Sequence, residues 1–377
     1  MLGLYIHIPF CVSKCNYCDF NSFKMDKIAK DNYLKDLKKE MELYSKDLEK
    51  NDKITSIFLG GGTPSILTSN ELKYIFENIK SNFNIKEDAE ISIECNPGTL
   101  NKEKLITMKE IGINRLSIGL QAIQDYHLKS IGRIHTYYEF ERNYKDALEI
   151  GFENINIDLM YALPNQTFDD WKESLEKIVD LDPSHISAYS LILEEGTKLY
   201  DMYERKEFEI IDEDTDIDMY NYTINYLKNN GYNQYEISNY SKEKCECQHN
   251  IVYWKCNKYI GLGPGASGYI NDFRYKNVES LDEYHDKLYL NEKPIDNKEN
   301  LTLNDKIQEK IFMGLRMNEG IKFKDFEQNF KINFKEKYST QIKKLKEQNL
   351  INEDITGIKL TQLGREISNS IFVEFLD

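Results

Sequence analysis

Six short apolar, β-branched runs alternate with amphipathic stretches between residue 1 and about residue 195, at 2–8, 54–59, 89–95, 115–118, 154–159 and 185–190. No other feature limits the fold as strongly, because a strand, an amphipathic segment and another strand make a βα unit, and repeated units assemble around a parallel sheet. Between the first two runs, Leu34, Leu37, Met41, Tyr44 and Leu48 recur at spacings of three and four, which predicts a helix with one apolar face on the sheet. Six units are two short of a closed eightfold barrel. The expected fold class is therefore α/β, an open partial (βα)6 barrel, with a doubly wound sheet as the structural alternative.

Loops that follow the strands hold the unusual residues: cysteines after the first, GGGTP at 60–64 after the second, and 96–99 after the third. Polar and glycine-rich chemistry at the carboxyl ends of strands is how both barrels and open sheets place their sites. CVSKCNYC puts Cys11, Cys15 and Cys18 in one loop with CxxxCxxC spacing, so three thiolates can meet one metal centre without long-range folding. A structural zinc site takes four ligands and is closed, whereas a 4Fe-4S cluster on three cysteines leaves one iron open. The alternative is a zinc knuckle completed by His7 or Asp19, although a lone strand histidine is more often packed or hydrogen-bonded than a ligand. Glycines at 60–62 let backbone approach a ligand and leave amides free to grip it, and equally could form a tight turn. Glu94, Gln121, Arg133 and Asp158 lie at or beyond later strand ends, where inward polar groups could hold ribose hydroxyls, an amino acid moiety or a second ligand. Taken singly, each fits a solvated salt bridge as well.

Beyond residue 200 the pattern changes, and three divisions are expected: 1–200 for the barrel, 201–300 for an extension and 301–377 for a C-terminal domain. The extension holds a helix with Met219, Tyr222, Tyr226 and Leu227, the strand-like GYNQYEISNYS, and a glycine-rich loop GLGPGASG at 261–268. The last part is mainly helical, with a short GIKL strand and Thr361 as an N-cap, and resembles a winged-helix module. With 13 basic against 12 acidic side chains it has no basic face for DNA. The whole chain has a net charge of -15, which argues against tracking nucleic-acid phosphates or anionic membranes. It shows no signal peptide and no 18-residue apolar run, so a soluble, cytoplasmic protein without an integral membrane segment is expected. Seven cysteines then read as metal-binding or buried thiols rather than disulfides.

YIHIPFCVSKCNYCDF, FLGGGTPS, IECNPGT, RLSIGLQ, IGRIH and IDLMYALPNQT occur in the order and approximate spacing of radical S-adenosylmethionine enzymes that resemble oxygen-independent coproporphyrinogen III oxidase. The resemblance covers nearly the whole chain. It implies a 4Fe-4S cluster on Cys11, Cys15 and Cys18, whose open iron takes the amino and carboxylate groups of S-adenosylmethionine for cleavage to a 5'-deoxyadenosyl radical. It also implies that Tyr5, Gly61, Gly62, Thr63 and Glu94 surround that S-adenosylmethionine, and that Gln121, Arg133 and Asp158 match positions linked to a second one. Tyr17, inside the cysteine loop, joins this cofactor-binding set.

Two features separate the subfamilies. The porphyrinogen-oxidising members carry a further cysteine where this chain has Phe20, and an N-terminal arm that is missing before the first strand. HNIVYW at 249–254 and the GLGPGAS that follows resemble the HNxxYW segment of HemW-type haem chaperones. The implied function is a haem chaperone that delivers haem to an acceptor protein, with coproporphyrinogen oxidation as the alternative and a homodimer left open. A histidine can ligate haem iron and aromatic rings can cover the macrocycle, so His249 is the expected haem contact, with Tyr253 and Trp254 beside it. Cys245, Cys247 and Cys256 flank it and could bind zinc or supply a thiolate instead. The other possibility is that His249 and Trp254 simply pack within the fold.

Overall fold

The structure, a computed structural model, describes residues 1–49 and 51–376. All six expected strands form: β1 (Leu2–Ile8), β2 (Ile54–Gly61), β3 (Ile85–Cys95), β4 (Arg115–Gln121), β5 (Asn154–Tyr161) and β6 (His185–Ser190). They lie side by side in chain order, every neighbouring pair parallel. A doubly wound sheet would reverse its order. Here crossovers of one hand stack their helices along one face. Thus α1 (Lys27–Ser45), α2 (Ser69–Asn82), α3 (Lys102–Ile111) and α4 (Tyr137–Ile150) pack each against the next.

Local chemistry sets the helix ends. Asp26 accepts from the Ala29 N–H at the start of α1, and Thr68 with Glu71 and Thr136 with Glu139 form capping boxes. Gly112 and Gly151 terminate α3 and α4 at φ of 106° and 94°, a left-handed turn that glycine makes without strain. The expected apolar face of α1 is buried through Leu34, Leu37, Met41 and Tyr44. Leu48 is a correction: α1 stops at Ser45, and Leu48 packs on the core from the turn beyond.

Alternation along the strands gives the sheet two different faces. Leu4, Ile6, Ile57, Leu59, Ile93, Leu116, Ile118, Ile155, Ile157 and Ile186 join the main apolar core beneath the helices. The intervening positions Ser56, Ser92, Ser117, Asn156, His185 and Ser187 are buried too, but polar. The concave side is therefore a polar interior, as a ligand-holding barrel requires.

The parallel run has seven strands rather than six, because the 201–300 region supplies another. After the hairpin β7 (Asn233–Glu236) and β8 (Asn239–Ser241) has joined the β6 edge, β9 (Lys258–Leu262) pairs parallel with β1. Then β10 (Ser267–Ile270), β11 (Phe273–Asn277) and β12 (Ile295–Asn300) extend that edge antiparallel, giving an open twelve-stranded sheet. GLGPGASG is accordingly not one loop: Gly261 and Gly268 lie inside β9 and β10, and only 263–266 turns. Glycines within such short runs hide the strand signal.

The C-terminal part has its own apolar core, including Ile307, Ile311, Phe326, Phe334 and Leu360. Its helices surround a three-stranded sheet of Ile321–Lys322, Gly357–Leu360 and Ile351–Glu353. Thr361 does cap the next helix, its hydroxyl accepting from the Gly364 N–H at 2.9 Å. Among the described residues no helix is long and apolar enough to cross a membrane.

Candidate functional site

The polar interior opens, at the carboxyl ends of the strands, into a cavity of about 390 Å³. Cys11, Cys15, Cys18 and Tyr17 line it from the cysteine loop; Gly61, Gly62, Thr63, Glu94, Gln121, Arg133 and Asp158 line it from the strand ends. One space thus gathers eleven expected residues drawn from six segments of chain. Tyr5 and His249, also expected among the cofactor contacts, lie outside this lining.

All three loop cysteines are free thiols, Cys11 buried and Cys15 and Cys18 half-buried. The Thr63 hydroxyl donates to Cys11 Sγ at 3.4 Å, and Arg133 Nη1 donates to Cys15 Sγ at 3.5 Å. Burial pushes the Cys11 thiol up and the Cys18 thiol up to about 11, so deprotonation here calls for a bound cation or metal. Among the described residues no three His, Cys, Asp or Glu side chains close on a single-ion point. A cluster takes one thiolate per iron, so its cysteines need not meet at a point. The expected zinc alternative through His7 meets a competing role, since His7 Nδ1 lies 3.0 Å from the Tyr5 hydroxyl and Nε2 lies 2.7 Å from the Asn21 carbonyl oxygen. Three free thiols facing a roomy cavity, two of them already receiving hydrogen bonds, suit a cubane cluster.

The glycines act differently from expectation. The Gly61 N–H donates to Glu94 Oε2 at 3.0 Å, the Gly62 N–H to the Ile8 carbonyl at 2.8 Å, and the Thr63 N–H to the Phe10 carbonyl at 2.8 Å. A Cβ on Gly62 would stand 2.7 Å from the Phe10 carbonyl oxygen, and one on Gly61 2.5 Å from the His7 ring. These amides are spent inside the protein, and the missing side chains let the end of β2 dock on the backbone that carries the cysteine loop.

Four carboxylates line the cavity, Asp19, Glu94, Asp158 and Glu194, and two of them come from the sheet. Burial, and then the charge of Asp158, push Glu94 up to about 8. Burial likewise raises Asp158, which accepts from Asn156 Nδ2 at 2.7 Å and from the Ser117 hydroxyl at 3.3 Å. Opposite them, Arg133 Nη2 donates to Asn96 Oδ1 and the Gly119 carbonyl, while its buried Nε has no partner. The Tyr189 hydroxyl donates to Gln121 Oε1 at 2.9 Å, and burial raises Tyr17. Carboxylates and a guanidinium in one cavity suit a ligand with both a cationic and an anionic part. Asn96, Ser117 and Tyr189 were missed from sequence; parity was the available signal for Ser117 and Tyr189, which share the inward set with Asp158.

His249 lies away from this cavity. Its ring is buried, with Nδ1 2.9 Å from the Ser56 hydroxyl and Nε2 2.8 Å from the Tyr253 hydroxyl, and it stacks on Phe58 at 5.3 Å. Burial pushes its pKa down to about 3. Glu90, near the amino end of the inward set, accepts from the Gln248 and His249 N–H groups, each at 3.0 Å. The helix Gln248–Trp254 thus plugs the opposite end of the barrel, and both imidazole nitrogens are engaged there. Arg316 lies over the Trp254 ring at 4.8 Å. Of the neighbouring thiols, Cys247 is buried against Glu90 and Cys245 is half-buried. Cys256 borders a second space of about 280 Å³, together with Tyr5, Tyr253, Tyr259 and Met313. Tyr5 therefore belongs to the wall of this second space.

Comparison with known proteins shows the family and the fold. Residues 5–178 match the Radical SAM superfamily, and residues 301–367 match the HemN C-terminal domain. The chain is 38% identical over 372 residues to the heme chaperone HemW of Lactococcus lactis, covering 99% of this chain and 96% of that protein. It is 36% identical over 377 residues to the heme chaperone HemW of Bacillus subtilis, covering 100% and 99%. Among solved structures, the radical SAM enzyme coproporphyrinogen III oxidase (HemN) from Escherichia coli shares the fold, with a TM-score of 0.87 at 24% identity over 100% of this chain and 90% of that one.

Proposed function

We propose that this chain, which belongs to the HemW family of haem chaperones in the radical SAM superfamily, holds a 4Fe-4S cluster on Cys11, Cys15 and Cys18, binds S-adenosylmethionine beside it, and delivers haem to an acceptor protein. The observation that carries the cofactor assignment is the single cavity shared by the three thiols, Glu94, Gln121, Arg133 and Asp158. When bound, the cluster supplies electrons and an iron with an open coordination position.

The chain's own groups have separable tasks in this reading. Thr63 and Arg133 donate to two of the thiol sulfurs and favour their thiolate forms. Glu94, fixed by the Gly61 N–H, and Asp158, fixed by Asn156 and Ser117, present carboxylates to the cationic part of the ligand. Gly61 and Gly62 serve indirectly, by seating β2 against the cysteine-loop backbone.

Haem is assigned to the helix Gln248–Trp254, on the side of the second space, where Tyr253, Cys256 and Met313 combine flat apolar surface with soft sulfur ligands. His249 supports this surface through Tyr253. The segments 1–200, 201–300 and 301–377 are proposed as cofactor barrel, haem-bearing extension and docking domain. A cytoplasmic setting and a homodimer belong to the same proposal.

Coproporphyrinogen oxidation is the competing activity. Phe20, 57% exposed at the cavity rim, occupies the place where the oxidising enzymes resemble one another in having cysteine. The test is one anaerobic reconstitution split between two assays. The expected outcome is a cluster-loaded protein that binds haem and passes it to apomyoglobin, with no decarboxylation of coproporphyrinogen III. Efficient porphyrinogen turnover would overturn the chaperone reading.

A further inference from the structure

An unbroken line of hydrogen bonds crosses the polar interior from the cofactor cavity to the HNIVYW helix. Asp158 Oδ1 accepts from Asn156 Nδ2 at 2.7 Å, and Asn156 Oδ1 lies 2.6 Å from His185 Nδ1. His185 Nε2 lies 2.9 Å from the Tyr235 hydroxyl, which in turn accepts from the Cys247 N–H at 3.3 Å. Asp158 lines the cavity, and Cys247 is the N-cap of the helix Gln248–Trp254. Sheet register makes the line: Asn156 and Asp158 are two apart on β5 and share a face, and Asn156 pairs with His185 on β6. Asn156, His185 and Cys247 are all buried, and Tyr235 is half-buried.

The partners determine the direction of every donor. Asn156 Nδ2 donates both to Asp158 and to the Ser117 hydroxyl, the latter at 2.8 Å, so its carbonyl faces His185. His185 then carries its proton on Nδ1 and accepts at Nε2 from the Tyr235 hydroxyl, whose lone pair takes the Cys247 N–H. All donors point toward the carboxylate. A protonated Asp158 would itself donate, which turns the Asn156 amide over and moves the His185 proton to Nε2. Tyr235 would then accept from His185 instead of donating to it. In the first arrangement the Tyr235 O–H is held by His185; in the second it loses that acceptor and turns away, which weakens its hold on the Cys247 N–H, and the charge at Asp158 selects between the two. Facing Asp158 are Arg115 on β4, which favours the ionised form, Glu94 on β3, which opposes it, and the Tyr189 and Tyr17 hydroxyls.

We infer that Asn156, His185 and Tyr235 are positioning residues that couple the charge at Asp158 to the hold on the N-terminus of the HNIVYW helix. A cationic group bound beside Asp158 widens the pH range over which the carboxylate stays ionised and the line stays directed toward it; protonation of Asp158 loosens the grip on Cys247. The inference deepens the proposed function and rests on its assignment of the cavity to a cationic cofactor and of the helix to haem.

The test is a double-mutant cycle on the full-length, ligand-free protein, read by amide hydrogen exchange over residues 247–254, corrected for intrinsic rates, at the alkaline plateau of the parent's pH dependence, where the buried carboxylate is ionised. Asp158→Asn is expected to change exchange of this segment about fivefold, within the range for members of one hydrogen-bond network. In a Tyr235→Phe background, which removes only the hydroxyl, Asp158→Asn is expected to have no further effect. His185→Gln, which breaks the line at its middle, should give the same loss of coupling. An Asp158→Asn effect of equal size in the parent and in Tyr235→Phe, or no effect in the parent, overturns the inference. A second arm adds S-adenosylmethionine to cluster-loaded protein on the acid side of that plateau, where Asp158 is protonated without a bound cation, with its affinity read separately by equilibrium dialysis. If it does not bind while the cycle shows coupling, the cofactor assignment falls and the coupling stands. If it binds and the segment does not respond, or responds equally in Tyr235→Phe, the coupling falls and the cofactor assignment stands.

Discussion

Arg133 and Cys15, 118 residues apart in the chain, meet across the cavity, the guanidinium Nη1 donating to the thiol sulfur at 3.5 Å. The guanidinium is also held by Asn96 and the Gly119 carbonyl, so its position does not depend on the sulfur. A fixed cation beside a cluster ligand lowers the energy of the reduced, more negative cluster relative to the oxidised one.

Arg133→Leu should therefore lower the midpoint potential of the reconstituted cluster, with an interaction of about 1.5–3 kcal/mol at stake for a hydrogen bond to a charged group. Anaerobic redox titration checks this. Iron and sulfide content should stay near the parent's, whereas alanine at Cys11, Cys15 or Cys18 should abolish the stable cluster. A potential unchanged by Arg133→Leu would remove the arginine from this role.

Gly62→Ala should destabilise the fold before it affects any ligand, because its Cβ would stand 2.7 Å from the Phe10 carbonyl oxygen and 2.9 Å from that of Ile8. Backbone cannot swing aside as a side chain does, and overpacking of this kind costs about 1–3 kcal/mol. Urea unfolding of the cluster-free protein gives the number. Stability equal to the parent's, with S-adenosylmethionine binding lost, would return the glycine to direct ligand contact.

His249→Ala should destabilise haem-free protein by about 2–4 kcal/mol, since it leaves a cavity and strands the Ser56 and Tyr253 hydroxyls. The buried ring also predicts acid sensitivity. Its pKa falls from 6.5 to about 3 on folding, so between those values the unfolded chain binds a proton that the folded one refuses. Its contribution, about 5 kcal/mol at most, is complete above pH 6.5 and is lost as pH drops toward 3. Chemical denaturation across this window should show a shallower slope for His249→Gln. An unaltered slope, with a Soret band that shifts in the variant, would point to an axial ligand instead.

Glu40 should show the opposite pH dependence. Fully buried on α1, it accepts from the Tyr284 hydroxyl at 2.6 Å, Asn277 Nδ2 at 2.7 Å and the Gly263 N–H at 2.7 Å, tying α1 to the added strands beside β1. Burial raises its pKa from 4.5 to about 7, so the folded state holds a proton that the unfolded state has released. Stability is then full below pH 4.5 and falls by up to about 3 kcal/mol as pH rises through 7. Glu40→Gln should flatten this fall, gaining on the parent between pH 5 and 8. A parallel decline in both proteins would mean that the carboxylate is ionised throughout.

Strands β1 to β6, the apolar face of α1, the CxxxCxxC loop and the Thr361 cap were all legible in the sequence. Each rests on a period of two, a spacing of three or four, or a contact within one turn, so the information lies in neighbouring residues. The same parity puts Glu94 and Asp158 on the inward face, because side chains alternate across a strand whatever the strand packs against. Tertiary structure alone decided the partners. Gly62 was readable as permissive but not as the seat of the Phe10 backbone, and β9 was masked by its glycine until it paired with β1. Composition does not say where the His249 ring sits; its contact with Ser56, 193 residues away, is set by the folded chain. Such partners are set by register and by which face meets which, and those depend on the whole chain being folded, while the local pattern determines only what each segment offers.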